Sequence, residues 1–410
     1  MTPASDQTCI IIGASHAAAQ CCVSLRQGGW TGAIILIGDE IDLPYHHPPL
    51  SKGFLSGSKA IDDILIRPRE AYDAANITLK LGVRVTDIDR EQKRVTTDAG
   101  EMLGYDKLVL ATGARVRKLP IPGSDDPRVM YLRNAQDVRS IKSSLPKSRK
   151  AVIIGGGYIG LETAASLRKQ GLEVTVIEAM VRILQRVTAP IMSDFYRRIH
   201  AEEGVVIHEN EMASEIDEQD GALIVKTKSG QSYPADLVII GIGVIPNVEL
   251  AEAAELEVGN GIIVNEFCQT SDLDVYAIGD VTWHYNSIYD THLRLESVPN
   301  ATEQGKTAAL HINGKPKPYN SLPWFWSDQF DLKLQIAGLS DGYDDIVLRG
   351  DHEATRSFAA FYFKGERLLA VDAVNAPREF MMTKMALTKG QTLNKAKLSD
   401  PSCDLKSALI

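Results

Sequence analysis

The chain has 410 residues, 44% of them hydrophobic and 24% charged, with a formal net charge of −9. That length predicts two to four domains, and the acidic balance disfavours non-specific nucleic-acid binding without forbidding a local basic patch. No basic, apolar leader opens the chain and no apolar run approaches the ~18 residues of a membrane span, so a cytoplasmic protein with no membrane contact is expected.

Five cysteines, Cys9, Cys21, Cys22, Cys268 and Cys403, show neither C-x-x-C nor C-x-x-x-x-C spacing. This argues against a zinc site and a dithiol redox motif, and no metal is expected. Buried free thiols are the plain reading. Only the last dozen residues suggest disorder.

The first element is a β run, Ile10–Ile12, that enters Gly13-Ala14-Ser15-His16-Ala17-Ala18 and then a helical stretch ending near Gly28-Gly29. A dinucleotide fingerprint wants G-x-G-x-x-G/A, because glycine permits the tight turn and the pyrophosphate rests on the helix N-terminus. Ser15 stands where the second glycine belongs, adding a Cβ and a hydroxyl. A second β run, Ala33–Ile37, leads to Asp39 and Glu40, placed to bind a ribose. A plain strand–turn–helix remains the competing reading for this motif taken alone.

Residues 94–113 follow as a meander strand, a turn and a buried strand ending in glycine. The pattern then repeats. AVIIGGGYIG (151–160) is a complete fingerprint, with Gly155, Gly157 and Gly160 in place and Tyr158 and Ile159 between them. Its helix ends near Gly171, and the run Glu173–Ile177 is closed by Glu178. A carboxylate there accepts from the 2′-hydroxyl of NADH and repels a 2′-phosphate. Arg182 and Arg186, just downstream, blur that choice. Residues 224–243 repeat the meander. Two similar nucleotide-binding units therefore sit in tandem.

From Trp324 onward the pattern changes. Alternating runs Lys333–Ala337, Asp345–Arg349, Phe358–Phe363 and Arg367–Val371 precede a helical stretch, Ala376–Thr388. That predicts an α+β domain with an antiparallel sheet. The fold class expected is α/β: two tandem Rossmann-like domains plus a C-terminal α+β domain.

Beyond the glycines, the chain carries YHHPPLSKGFL (45–55), LVLATGARVRKLP (108–120), YLRNAQD (131–137), IGGGYIGLETAA (154–165) and RVTAPIMSDFY (186–196). It continues with GIGVIPN (241–247), VNEFCQTSD (264–272), VYAIGD (275–280), ESVPNATEQ (296–304) and PWFWSDQF (323–330). With these, it closely resembles the FAD-dependent ferredoxin reductases that serve P450 and ring-hydroxylating dioxygenase systems. The resemblance implies a glutathione-reductase-like fold with a discontinuous FAD domain (1–115 and 248–325), an NADH domain (116–247) and a C-terminal domain (326–410).

It also implies residue roles. Gly13, Ser15, His16, Ala17, Asp39 and Glu40 would meet the FAD phosphates and ribose, with Val85 beside the adenine. Pro49 and Lys52 of PPLSK, together with Thr112, Gly113 and Arg133, would line the flavin nucleotide. Gly279 and Asp280 would hold the ribityl chain, and Val298 the ring. Glycine often stands at position 15 and arginine at position 47 in the family, so Ser15 and His47 bear on FAD affinity.

NADH would bind over Gly155–Gly160, Glu178, Arg186 and Gly241-Ile242-Gly243. Hydride would pass to the flavin, then electrons singly to a [2Fe–2S] ferredoxin. Lys52 and Glu162 are expected to pair beside the flavin, with Trp326 at its edge; a structural salt bridge and a core tryptophan are the plain alternatives. Arg67, Arg69 and Arg294 are candidates for docking an acidic ferredoxin, with Lys333, Arg349 and Arg378 as a second set. A rubredoxin reductase, or an NADH-sensing flavoprotein resembling apoptosis-inducing factor, is the alternative reading. A monomer or homodimer fits either.

Overall fold

The computed structural model describes residues 6–410. Two compact units divide the chain. One comprises the chain up to His46, Ile61–Arg115 and Ile245–Phe325; the other comprises His47–Ala60, Val116–Val244 and Trp326–Ile410.

The first unit is built on a five-stranded parallel sheet in the order Val275–Ala277, Lys107–Leu110, Thr8–Ile12, Ala33–Gly38, Thr78–Leu81. Thr8–Ile12 is the central strand. Cys9, Ile10 and Ile11 are fully buried, which is why it reads as an unbroken apolar run and not an alternating one. Helix His16–Gly28 follows and stops at Gly29, whose φ of 109° is the left-handed C-cap. It packs on helix Val298–Ile312 so closely that a Cβ at Gly305 would lie 2.7 Å from the Ala17 carbonyl oxygen. Strands Val85–Asp89, Arg94–Thr97 and Met102–Gly104 form an antiparallel ribbon.

The second unit repeats this plan. Its parallel sheet runs Val205–Glu209, Glu173–Glu178, Lys150–Ile154, Leu237–Ile240, Val129–Tyr131, and its ribbon is Ala213–Gln219, Ala222–Thr227, Ser232–Ala235. The duplication read from the sequence is thus a duplication of sheet order over four of the five strands; the fifth, Val275–Ala277 in one unit and Val129–Tyr131 in the other, comes from a different point in the chain.

This unit also holds a second sheet: Trp324–Gln329, Leu332–Gly338, Arg367–Val374, Phe358–Lys364, Asp345–Gly350. The sequence pattern finds four of these strands and misses Trp324–Gln329. Helix Pro377–Thr388 follows, with proline in its first turn, where no N–H is needed.

The last dozen residues depart from expectation: they are folded. Leu405–Ala408 forms a 3₁₀ turn and Leu409 bridges to Leu393. Arg349, only 11% exposed, donates to the carbonyls of Leu398 (3.3 Å), Asp400 (2.6 Å), Pro401 (3.0 Å) and Cys403 (2.9 Å). Five guanidinium donors in a rigid fork suit such a cluster of chain-end carbonyls. No helix among the described residues is long and apolar enough to cross a membrane.

Candidate functional site

Each unit carries one dinucleotide turn, and the two share a geometry. Gly13 has φ +111° and a Cβ there would stand 2.1 Å from the Ala111 oxygen; Gly155 has φ +115° and would meet the Gly241 oxygen at 2.3 Å. Both positions are closed to any side chain, and both bring strand, turn and following loop together. The helices that start here, His16–Gly28 and Tyr158–Lys169, have no side-chain capping bond from Ser15 or Gly157 and no acidic residue in the first turn. With no acidic side chain in either first turn, the positive dipole end of each helix fits a phosphate. Gly160 supplies the close helix–strand contact, a Cβ there falling 2.1 Å from the Gly155 oxygen.

In the first unit Ser15 tolerates the N-cap at φ −122°, an extended conformation open to any residue. His16 is buried, and its Nε2 lies 3.1 Å from Nδ1 of His46. Asp39 closes its strand in an exposed ion pair with Arg84 (3.0 Å), and Glu40 accepts from the Tyr45 hydroxyl (2.6 Å). Ala17 and Val85 are buried. The Thr112 hydroxyl donates to the Asn247 carbonyl (2.7 Å), while the Asn247 amide donates back to the Thr112 carbonyl (2.7 Å). Asn247, unremarked in the sequence apart from its place in GVIPN, is what fixes the Thr112-Gly113 turn.

Gly279, at φ +82°, donates to Gln304 Oε1 (2.7 Å), and Asp280 follows it half-buried in a 3₁₀ turn. Val298 opens helix Val298–Ile312 behind the Ser297 cap. Arg294 is not a free surface charge: it is 13% exposed and pairs with Glu296. Arg69 pairs with Asp73 at 3.3 Å, and Arg67 reaches the Ala19 carbonyl at 3.5 Å.

In the second unit Glu178 accepts from the Gly156 N–H (2.6 Å) and the Met180 N–H (2.7 Å), which aims its half-buried carboxylate at the turn. Arg182 spends its donors on Ser193 Oγ (2.7 Å) and the Gln185 carbonyl (3.2 Å), so it does not oppose Glu178. Arg186 is exposed, 3.7 Å from where a Cβ on Gly243 would stand. Gly241 and Ile242 are half-buried beside it, Ile159 is 48% exposed, and the half-buried Arg133 donates its N–H to Asp137 (2.9 Å) in the turn before helix Ala135–Ser144.

The PPLSK segment belongs to this unit, and the structure joins Lys52 to Glu162. The two are 2.6 Å apart, Lys52 being 21% exposed and Glu162 3%. The same helix face holds the segment twice more: Ser51 Oγ donates to Glu162 (2.6 Å), and Ser166 Oγ donates to the Ser51 carbonyl (2.5 Å). Pro49 lies in the 3₁₀ turn Pro48–Ser51 that precedes Lys52, and Trp326 is half-buried on strand Trp324–Gln329.

All five cysteines are free. Cys9, Cys21, Cys22 and Cys268 share one apolar core in the first unit. Burial raises all four thiols, that of Cys9 to about 12. Such groups are neither nucleophiles nor a dithiol couple.

Paired fingerprints, each on its own parallel sheet with its own ribbon, define a flavoprotein class that takes its electrons from a pyridine nucleotide. Residues 7–305 match the family described as pyridine nucleotide-disulphide oxidoreductase, residues 324–409 match that described as reductase C-terminal, and the chain belongs to this family. It is 42% identical to putidaredoxin reductase of Pseudomonas putida over 99% of this chain and 97% of that one. Among solved structures it is similar to the ferredoxin reductase for the CYP199A2 system from Rhodopseudomonas palustris, at TM-score 0.95 and 40% identity, covering 98% and 100% of the two chains. It is equally similar to a covalent putidaredoxin reductase–putidaredoxin complex, at TM-score 0.95 and 41% identity over 99% and 98%. The family, the fold class and the FAD and NADH cofactors expected from the sequence stand.

Proposed function

We propose that this protein is an NADH-dependent reductase of a [2Fe–2S] ferredoxin that feeds a P450 or a ring-hydroxylating dioxygenase. Bound FAD would supply the conversion of a hydride from NADH into two single electrons and a proton. The chain's residues orient, hold charge and exclude side reactions.

The first unit, with its tight turn at Gly13, its Thr112-Gly113 loop and Asp280, is assigned to FAD. Residues 116–247, nearly all in the second unit, are assigned to NADH, and 326–410 of that unit to a C-terminal domain. Glu178 accepts from the adenosine ribose, and its charge disfavours a 2′-phosphate. Lys52 is a fixed cation assigned to the flavin; Glu162 holds it in place and Ser51 anchors the pair. Trp326 is assigned to the flavin edge.

One observation carries the choice of acceptor within this family. No cysteine is placed or ionised to act as a thiol couple, so electrons leave the flavin for an external one-electron carrier. The carrier's docking charge fits Arg378 and Lys333, both exposed, better than Arg294 or Arg349, which are committed to internal partners. A cytoplasmic setting is proposed because free thiols and a soluble nucleotide substrate belong there.

Anaerobic stopped-flow tests the reading. NADH should bleach the flavin of the holoprotein, and an added [2Fe–2S] ferredoxin should restore the colour within the steady-state turnover time. Turnover with a small disulfide at the rate seen with ferredoxin would sink the assignment.

A further inference from the structure

Glu162 does more than meet Lys52. Its carboxylate has two oxygens, and the structure uses them differently. Oε2 takes Lys52 Nζ and Ser51 Oγ, both at 2.6 Å. Oε1 takes Ser327 Oγ at 2.7 Å. Ser327 is fully buried. Strand alternation puts Gln329 on the same face, and Gln329 Nε2 lies 3.2 Å from Ser327 Oγ. Beyond it, His200 Nε2 lies 2.8 Å from Gln329 Oε1. Gln329 is 1% exposed and His200 fully buried, on helix Pro190–Glu202.

The donor directions in this chain follow from one end. An ionised carboxylate only accepts, so the single Ser327 proton goes to Glu162. Ser327 can then only accept from Gln329, which turns the amide nitrogen toward it. The amide oxygen therefore faces His200, which must carry its proton on Nε2. Burial lowers the His200 pKa to about 4, so the ring is neutral and its Nδ1 is left bare; among the described residues that buried atom has no partner. Every donor in the row points toward Glu162.

We propose that Ser327, Gln329 and His200 are positioning residues for the Lys52–Glu162 pair. They form an oriented row of dipoles that ends on Glu162 Oε1 and holds that oxygen turned away from Lys52. The reasoning is electrostatic: in a low-dielectric interior, aligned hydrogen bonds polarise one another, and a buried carboxylate short of donors is costly. A lysine whose counter-ion is fixed on both oxygens presents its charge in one place. The inference rests on the flavin role assigned to Lys52 above.

Three holoprotein variants test it, read by the midpoint potential of bound FAD and by flavin reduction in stopped-flow. Ser327→Ala should lower the limiting rate of flavin reduction about ten-fold, with the apparent Kd for NADH unchanged, and should shift the midpoint potential. Ser327→Thr, which keeps the hydroxyl, should restore both readouts. Lys52→Met is the reference: if it leaves the potential where it was, the flavin role of the pair fails, and not the row. If Lys52→Met moves the potential while Ser327→Ala matches wild type, or if Ser327→Thr is as poor as alanine, the row is overturned. A readout free of substitution is the ¹⁵N spectrum of histidine-labelled holoprotein. It should show the His200 ring protonated on Nε2; protonation of that ring on Nδ1 would reverse the Gln329 amide and end the proposal.

Discussion

Glu178 shows how far a single residue can be argued. Two backbone donors, from Gly156 and Met180, fix its carboxylate, so its charge sits at a defined place beside the turn. Glu178→Ala should lower the NADH over NADPH ratio of kcat/KM about ten-fold, through loss of the ribose acceptor and of the like-charge barrier. Steady-state kinetics with both nucleotides checks this, and an unchanged ratio would assign the discrimination elsewhere. Residues of this kind were legible because the fingerprint is local: a turn, a helix start and a strand end within one βαβ unit. Ser327 and Gln329 were not. They stand in the sequence as part of PWFWSDQF, and only folding brings them to Glu162 and His200. Arg294 and Arg349 mark the opposite limit, since an arginine in a sequence shows its charge but not the partners that use it.

At the level of elements, the strand–turn–helix openings and the central strands of both nucleotide units were read closely, because buried parallel strands leave continuous apolar runs and glycines mark their ends, while the edge strands Thr78–Leu81, Val129–Tyr131 and Val205–Glu209 were not read. Trp324–Gln329 escaped because its first half is aromatic throughout and shows no alternation. The sheet it joins contains a buried acid. Asp372, 2% exposed on strand Arg367–Val374, accepts from Tyr362 Oη (2.6 Å) and from Thr188 Oγ1 in the segment leading to helix Pro190–Glu202. Burial raises its pKa to about 6. The folded protein therefore holds a proton that the unfolded chain releases near pH 4, and stability falls as pH rises from about 4 through about 6. Asp372→Asn keeps an acceptor oxygen and has no such penalty. Relative to wild type it should gain stability across that window, on the order of 3 kcal/mol at its upper end, and nothing below it. Urea titrations from pH 4 to 8 measure the difference. A variant that loses stability at every pH would show that the carboxylate's two hydrogen bonds outweigh its desolvation.

Over the whole molecule the balance of buried titrating groups runs the other way. His200 and His284 are pushed down to about 4 by burial, one in each unit. Each takes up a proton on unfolding below pH 6.5, so both units lose stability as pH falls from there toward 4. Asp372 offsets this only in the second unit. The same two units explain why the tandem duplication was readable at all. Each copy must bury its own sheet, so each keeps its own apolar runs and turn glycines, whatever the rest of the sequence has become.

The thiols of the first unit, silent in the chemistry, make the protein convenient to label. Four of five cysteines are sealed in one core, while Cys403 lies partly open in the chain-end segment whose carbonyls Arg349 gathers. A maleimide dye should therefore attach once to the native protein and five times after denaturation, countable by intact mass. A second fast-reacting site in the native state would mean that the first unit opens on the labelling timescale. With a single attachment, the dye becomes a fixed beacon in the chain-end turn that Arg349 ties to the C-terminal sheet. Energy transfer from it could time the arrival and departure of an electron carrier without touching any residue assigned to the flavin.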